Sequence, residues 1–289
     1  MSADRFIDRF LRGYAVLAYL FLFAPIVVVI IFSFNAGRHV AELTGLSLQW
    51  YEEAWTNQFV LRALRNSLFI AVTSATLATI LGTISAVALP STRPAIRRAF
   101  EQLTYVAIIV PGIVIGISTL VFVVTLFDWV NPWLVYLWPA GDPPQLGLGS
   151  ATVIAAHTMF TTAVVHVLVR TRMSGMDRAL VEASEDLYAT PWRTFRQVTI
   201  PQLLPAIIAG FLLAFTFSFD DFIVAFFTSG QDQTLPIYLF ASIRRGVTPV
   251  VNAIATVLLL VTLSALVVAW FVALRRGRRP RSAAVGSAT

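Results

Sequence analysis

Polar and apolar residues fall in long blocks along this chain. Six apolar runs, roughly Tyr14–Phe34, Ser67–Leu89, Leu103–Phe127, Ala151–Val169, Leu203–Phe227 and Ala253–Leu274, have the length a helix needs to cross about 30 Å of hydrocarbon. The pattern predicts an all-α, polytopic membrane protein of six transmembrane helices, read as one transmembrane domain over 1–289 with no separable soluble part. The first run follows Arg5, Arg9 and Arg12 but exceeds a signal-peptide core and lacks a small-residue exit, so it reads as a retained anchor. Pro25 and Pro111 are candidate kink sites in their runs.

One polar block departs from this pattern. Asp177–Pro205, DRALVEASEDLYATPWRTFRQVTIPQLLP, is charged and helix-forming between two apolar runs. Leu180, Ala183 or Ser184, and Leu187 recur at helical spacing and give Arg178–Tyr188 one apolar face. Thr190 suits the cap of a second short helix with Pro191 at its first position. Trp192, Phe195 and Val198 or Thr199 continue at helical spacing, and Pro201 and Pro205 are expected to stop that helix and start the next span. The product is a pair of helices with a Leu/Trp/Phe ridge for a soluble partner. A helix resting among lipid headgroups is the bland alternative; Glu182, Glu185 and Asp186 argue against it, because they would sit beside anionic lipid.

Composition narrows the function. Of 289 residues, 57% are apolar and 12% charged, against about 25% charged in soluble domains, and the mean hydropathy is +0.78. There is no cysteine, which excludes disulfides and thiolate chemistry. There is no lysine either: all 21 basic residues are arginine, so the chain has no GxxxxGK[ST] phosphate loop. Any ATP it uses is hydrolysed elsewhere. The net charge of +6 does not point to nucleic acid, because the arginines flank the apolar runs rather than forming one face. With the N-terminus inside, the inner segments carry sixteen arginines (5, 9, 12, 93, 97, 98, 170, 172, 178, 193, 196, 275, 276, 278, 279, 281) and the outer ones five (38, 62, 65, 244, 245). That asymmetry predicts cytoplasmic termini, a cytoplasmic 177–205 block and a basic, disordered tail over 275–289.

Within the spans the chemistry is sparse. Asp220 and Asp221 interrupt an otherwise uncharged run, and intramembrane charges are functional candidates by default. Adjacent helical positions point about 100° apart, so at most one of the two faces a pathway squarely. Phe217, Phe219, Phe222, Phe226 and Phe227 surround them, a setting that suits a polycation through charge and cation–π attraction. The alternatives are pairing with Arg244 or Arg245, or capping a kink. His157 and His166 fall on opposite faces of one helix and read as hydrogen-bonded packing residues, not a metal pair. Gly112 and Gly116 form a GxxxG-like pair suited to close helix packing. Outside the spans, GLSLQWYEEAW reads as an amphipathic surface helix, the Trp- and Pro-rich 128–150 segment as an interfacial belt, and 228–252 as too polar for a seventh span.

Glu182-Ala183-Ser184, followed by Ile200-Pro201 and Pro205, resembles the EAA loop of binding-protein-dependent ABC importer permeases. The match departs at Tyr188, where the family pattern has glycine, and at Ser184, where it has alanine. GLSLQWYEEAW, NSLFIAV, FSFDDFIVAFFTSG and RRGVTPVVNAIAT extend the likeness over most of the chain, to the PotC/PotI type of permease in spermidine/putrescine importers. The resemblance implies a MetI-like fold and ATPase coupling through Glu182, Ala183, Ser184, Leu187, Tyr188, Trp192, Phe195 and Pro201. It further implies a pathway or gate at Asp220, Asp221, Phe219 and Phe222. Implied partners are a second homologous permease, an ABC ATPase dimer that uses ATP and Mg, an extracytoplasmic solute-binding protein and a small cationic substrate. This chain itself would bind no cofactor. The rival classes are a permease for another small solute, a secondary transporter acting alone and a structural membrane adaptor. The chain reconstituted by itself in liposomes is expected to give no solute flux; flux without an ATPase would identify a secondary transporter or channel.

Overall fold

The computed structural model describes residues 2–38, 42–139, 141–177, 179–246 and 248–277. Arg178 of the polar block and the basic tail with Arg278, Arg279 and Arg281 lie outside the described residues. The helices in chain order are α1 (Ser2–Ser33), α2 (Gln49–Thr56), α3 (Gln58–Ala88), α4 (Pro94–Ile109), α5 (Gly112–Leu137) and α6 (Ser150–Ser174). They continue with α7 (Ala179–Asp186), α8 (Pro191–Thr194), α9 (Ile200–Asp220), α10 (Ile223–Thr228), α11 (Leu235–Arg245) and α12 (Pro249–Gly277). No strand occurs among the described residues, only a single bridge between Asn35 and Leu46. Among the described residues, five stretches are long and apolar enough to cross a membrane: Ile7–Ser33, Gln58–Ser91, Gly112–Leu137, Ser150–Ser174 and Pro191–Asp220. The sixth apolar run of the sequence falls in α12, where Pro249–Ser264 forms a shorter apolar segment.

The chain divides into two compact units, Met1–Gln58 with Ala241–Thr289, and Phe59–Phe240. In the first unit α1 packs along α12, and α12 also packs on α2. Pro25 lies inside α1 without ending it. Beyond α1, the Asn35 side chain accepts from Thr44 N–H (2.9 Å) and donates to the Glu42 carbonyl (2.7 Å), while the Trp50 indole donates to the Asn35 carbonyl (2.6 Å). These bonds dock the QWYEEAW helix of the sequence, now α2, with Trp50 and Ala54 buried.

In the second unit the helices approach closely because small residues line them. α3 buries Ala63, Ser67, Ala71, Ser74, Ala75, Ala78, Gly82 and Ala86, one small residue per turn on one side. A β-carbon at Gly82 would lie 2.7 Å from Val165 Cβ, and one at Gly210 would lie 3.2 Å from Val165 Cγ1. Val165 of α6 is thus wedged between α3 and α9, fully buried among Ala75, Ala78, Val169, Leu203 and Ala214. The first turn of α6 is held by Asp232, whose Oδ2 accepts from Ser150 N–H and Ser150 Oγ–H, both at 2.8 Å.

Two predicted spans are corrected. The 103–127 run is not one helix: α4 ends at Ile109 and α5 starts at Gly112, because Pro111 offers no N–H and forces Val110 into an extended conformation (φ −62°, ψ 130°). α5 then continues to Leu137, which moves Trp129, Pro132 and Trp133 from the predicted loop into a helix. The 203–227 run also breaks, after Asp220. The glycine pair separates in role: a β-carbon at Gly116 would lie 2.8 Å from the Phe227 ring, whereas nothing lies within 4 Å of one at Gly112. Gly82→Ala is expected to destabilise the chain by roughly 1–3 kcal/mol through overpacking against Val165, read as a lower melting temperature in detergent. Gly112→Ala, made in parallel, should leave the melting temperature within error of the parent.

Candidate functional site

The acidic pair sits at a built helix break. α9 terminates at Asp220, and Asp221 is extended (φ −69°, ψ 121°). The Asp221 side chain explains the break: its Oδ2 accepts from the Ala225 backbone N–H at 2.9 Å and so satisfies a free donor at the start of α10. The same Oδ2 lies 3.2 Å from His157 Nε2, within ion-pairing distance but out of line for a well-formed hydrogen bond. His157 is fully buried on α6, and its Nδ1 lies 2.7 Å from Ser218 Oγ on α9. Ser74 Oγ on α3 donates to Ser218 Oγ at 2.8 Å. One proton arrangement serves this chain: Nε2–H faces the carboxylate, Nδ1 accepts from Ser218, and the Ser218 oxygen accepts from Ser74. Three helices and the break are thereby joined by side-chain contacts.

The two aspartates therefore differ. Asp221 is mostly covered, with 17% of its side chain exposed, whereas Asp220 is exposed. Of the sequence alternatives for the pair, kink capping describes Asp221, with His157 Nε2 beside its carboxylate. Phe219 stacks on Phe215 (5.7 Å between centroids), while Phe222 packs against Phe226 (5.4 Å) and Phe240 (4.6 Å). The pair of phenylalanines named from the sequence thus joins two different aromatic groups. His166 does not join this cluster; its Nδ1 lies 2.9 Å from Ser85 Oγ. Sequence reading had both histidines hydrogen-bonded but missed the Asp221 partner and the roles of Ser74 and Ser218. Serines are common in spans, and the link joins residues 61 to 144 positions apart.

The 177–205 block forms the expected pair of short helices. Asp177 Oδ1 accepts from Ala179 N–H at 2.9 Å and opens α7. α7 ends in a turn where Ala189 N–H bonds the Ser184 carbonyl (3.1 Å) and Tyr188 takes φ +55°. Tyr188 is the one non-glycine residue with positive φ among those described, at the position where the sequence pattern has glycine. The left-handed turn is kept and its strain, on the order of 1–2 kcal/mol, is tolerated. Thr190 Oγ1 accepts from Arg193 N–H (3.4 Å) and caps α8, with Pro191 at its start. Ser184 Oγ and Thr194 Oγ1, 2.9 Å apart, close α7 onto α8. Leu180, Leu187, Tyr188 and Trp192 are exposed, as are Glu182 and Ala183, while Phe195 is half-buried with its ring 5.7 Å from that of Trp192.

Pro201 does not stop this segment, contrary to the sequence expectation. Phe195–Thr199 forms a π-helical turn that runs directly into α9, with Pro201 in the first turn and Pro205 inside the helix. Widening the turn by one residue accommodates the missing proline N–H and its ring without breaking the helix.

Residues 78–280 match the family described as binding-protein-dependent transport system inner membrane component. The putrescine transport system permease protein PotI of Escherichia coli (strain K12) is 39% identical over 245 residues, covering 84% of this chain and 83% of that one. The spermidine/putrescine transport system permease protein PotC of Haemophilus influenzae is 34% identical over 260 residues, covering 89% and 94%. Among solved structures, a bacterial ABC transporter involved in the import of the acidic polysaccharide alginate superposes with a TM-score of 0.73 at 12% identity, over 96% of this chain and 98% of that one. A structure of a bacterial alginate ABC transporter in complex with an alginate pentasaccharide-bound periplasmic protein gives 0.70 at 13% identity, over 98% of each. The chain belongs to this family: it is an inner-membrane permease subunit of a binding-protein-dependent ABC importer with the MetI-like fold.

Tyr188→Gly should keep binding-protein-stimulated ATP hydrolysis of the assembled importer within about twofold of the parent, because glycine adopts φ +55° freely. Tyr188→Pro, with φ fixed near −65°, should reduce it at least tenfold at unchanged membrane content. Equal activity of the two variants would show that the turn geometry is immaterial.

Proposed function

We propose that this permease subunit imports polyamines, with Asp220 as the acid that meets the cationic solute. The carrying observation is the inequality of the two carboxylates: Asp221 is occupied by His157 and α10, while Asp220 stands exposed at the end of α9. The fold is silent about solute charge, since an importer of an acidic polysaccharide has it too. The support for polyamines comes from the acidic pair, from Phe219 beside Asp220 as an aromatic face for an ammonium group, and from relatives named for putrescine and spermidine.

The assembly we infer comprises this chain, a second homologous permease, an ATPase dimer that consumes ATP and Mg, and an external binding protein. The periplasmic protein in the alginate complex supports the last of these. In this reading the termini and the 177–205 block are cytoplasmic. Glu182, Ala183, Ser184, Leu187, Tyr188, Trp192, Phe195 and Pro201 form the coupling element, with Leu187, Tyr188 and Trp192 as the exposed ridge that enters the ATPase surface. Closure of the ATPase dimer moves this element and the helix attached to it, and the break at Asp220–Asp221 turns toward the outside to receive solute. Hydrolysis resets the inward-facing state.

Asp220→Asn is expected to lower uptake of putrescine or spermidine about tenfold in cells carrying the whole importer, with ATPase coupling by the loaded binding protein retained. A panel of radiolabelled polyamines, amino acids and sugars reads the result. Unchanged polyamine uptake by Asp220→Asn, or wild-type uptake of a different solute, would replace this reading by a permease for another small solute.

A further inference from the structure

His157 is a residue for which bilayer packing alone gives no account. It is fully buried, its Nδ1 is satisfied by Ser218, and its Nε2 has no hydrogen-bond partner of good geometry, yet this atom points at a carboxylate oxygen 3.2 Å away. A packing histidine would be satisfied by one serine, as His166 is by Ser85. A buried polar atom left imperfectly paired is costly, so its retention calls for a role.

We propose that His157 is a positioning residue for the solute-binding break: it fixes Asp221 so that α9 ends at Asp220 and presents Asp220 to the solute. Three observations carry this. First, both contacts of Asp221 fall on the same oxygen, Oδ2, which holds the carboxylate between His157 and the first turn of α10. Second, His157 is itself anchored through Ser218 to Ser74 on α3, so the position of Nε2 is set by three helices rather than by its own side chain. Third, α10 has little freedom of its own, because Gly116 of α5 admits Val224 and Phe227 at closer range than any side chain would allow. The break is then clamped from both ends, by α5 behind α10 and by His157 at Asp221. An imidazole suits this task because one ring nitrogen faces the carboxylate while the other is held by Ser218. Oδ1 of Asp221 has no protein partner among the described residues, which leaves it available to support a cation held chiefly by Asp220.

The inference rests on the break being part of the solute's route, not on which solute travels it. Two near-isosteres separate positioning from packing. In His157→Gln the amide nitrogen reaches the place of Nε2 and keeps the approach to Asp221. In His157→Asn the amide oxygen takes the place of Nδ1, where it accepts from Ser218 Oγ–H, and no group reaches Asp221. Both are expressed with the whole importer, with membrane content measured, and read by uptake of the solute bound by its own binding protein and by binding-protein-stimulated ATP hydrolysis. We expect His157→Gln to retain uptake within about threefold and His157→Asn to lose about tenfold. Adding His157→Asn to Asp221→Asn should then lower uptake no further than Asp221→Asn alone. Uptake by His157→Asn equal to or better than His157→Gln, or full multiplication of the two losses in the double variant, would overturn the proposal and leave His157 a packing residue. Normal uptake by Asp220→Asn combined with the predicted Gln/Asn difference would retain the positioning role while removing Asp220 as the solute's acid.

Discussion

A helix that stops inside or near a bilayer leaves carbonyls and N–H groups that no lipid can satisfy. That constraint governs this chain at Asp220–Asp221, where α9 ends and α10 begins with two residues between them. Asp221 resolves it by accepting from Ala225, and its charge then needs a partner of its own. His157 supplies the partner, Ser218 orients the imidazole, and Ser74 orients Ser218. Each step brings a polar group of a neighbouring helix to the one before it, although the approach of His157 Nε2 to Asp221 is not a well-formed hydrogen bond. α3, the helix with a small residue in each turn, comes close enough for Ser74 to complete the series. The small-residue stripe and the Val165 wedge are therefore conditions for the acidic break, not separate packing features.

The same helix joins the break to the exposed ridge. From Pro191 to Asp220 the chain is one helical run of 30 residues, which spans about 45 Å. The π-turn at Phe195–Thr199 accommodates Pro201, and Pro205 lies inside α9 without ending it. The ridge at one end and the carboxylates at the other are connected by a single element with no flexible joint longer than that turn. Under the proposed coupling role, a force on the ridge would reach the break as rotation or translation of a rod, whatever the solute.

Much of this was legible in the sequence because it depends on local pattern. The apolar runs, the Thr190–Pro191 cap, the left-handed demand at Tyr188 and the α2 segment all follow from residues within a few positions of one another. Two local rules were outweighed. Pro111 breaks its run where a kink was expected, and Pro201 fails to break its own because the π-turn precedes it. The division of labour between Asp220 and Asp221 was not legible. Helical geometry states that two adjacent aspartates diverge, but which one turns inward depends on His157, 64 residues earlier, and on a helix ending that neither neighbour signals. Ser74 lies farther still from Ser218, and no periodicity in either span marks it.

Tyr188 shows where local rule and function separate. Glycine would remove the strain of φ +55°, yet the chain has a nearly fully exposed tyrosine there, 97% accessible, beside exposed Leu187 and Trp192. A strained residue persists when its surroundings fix the turn, and here they do: Ala189 bonds back to Ser184, and Ser184 is tied to Thr194 across the two helices. Ser184, the other departure from the family pattern, thus supplies a brace at the turn where Tyr188 adds strain. The tyrosine ring adds exposed aromatic surface beside Leu187 and Trp192 at a place where glycine would offer none.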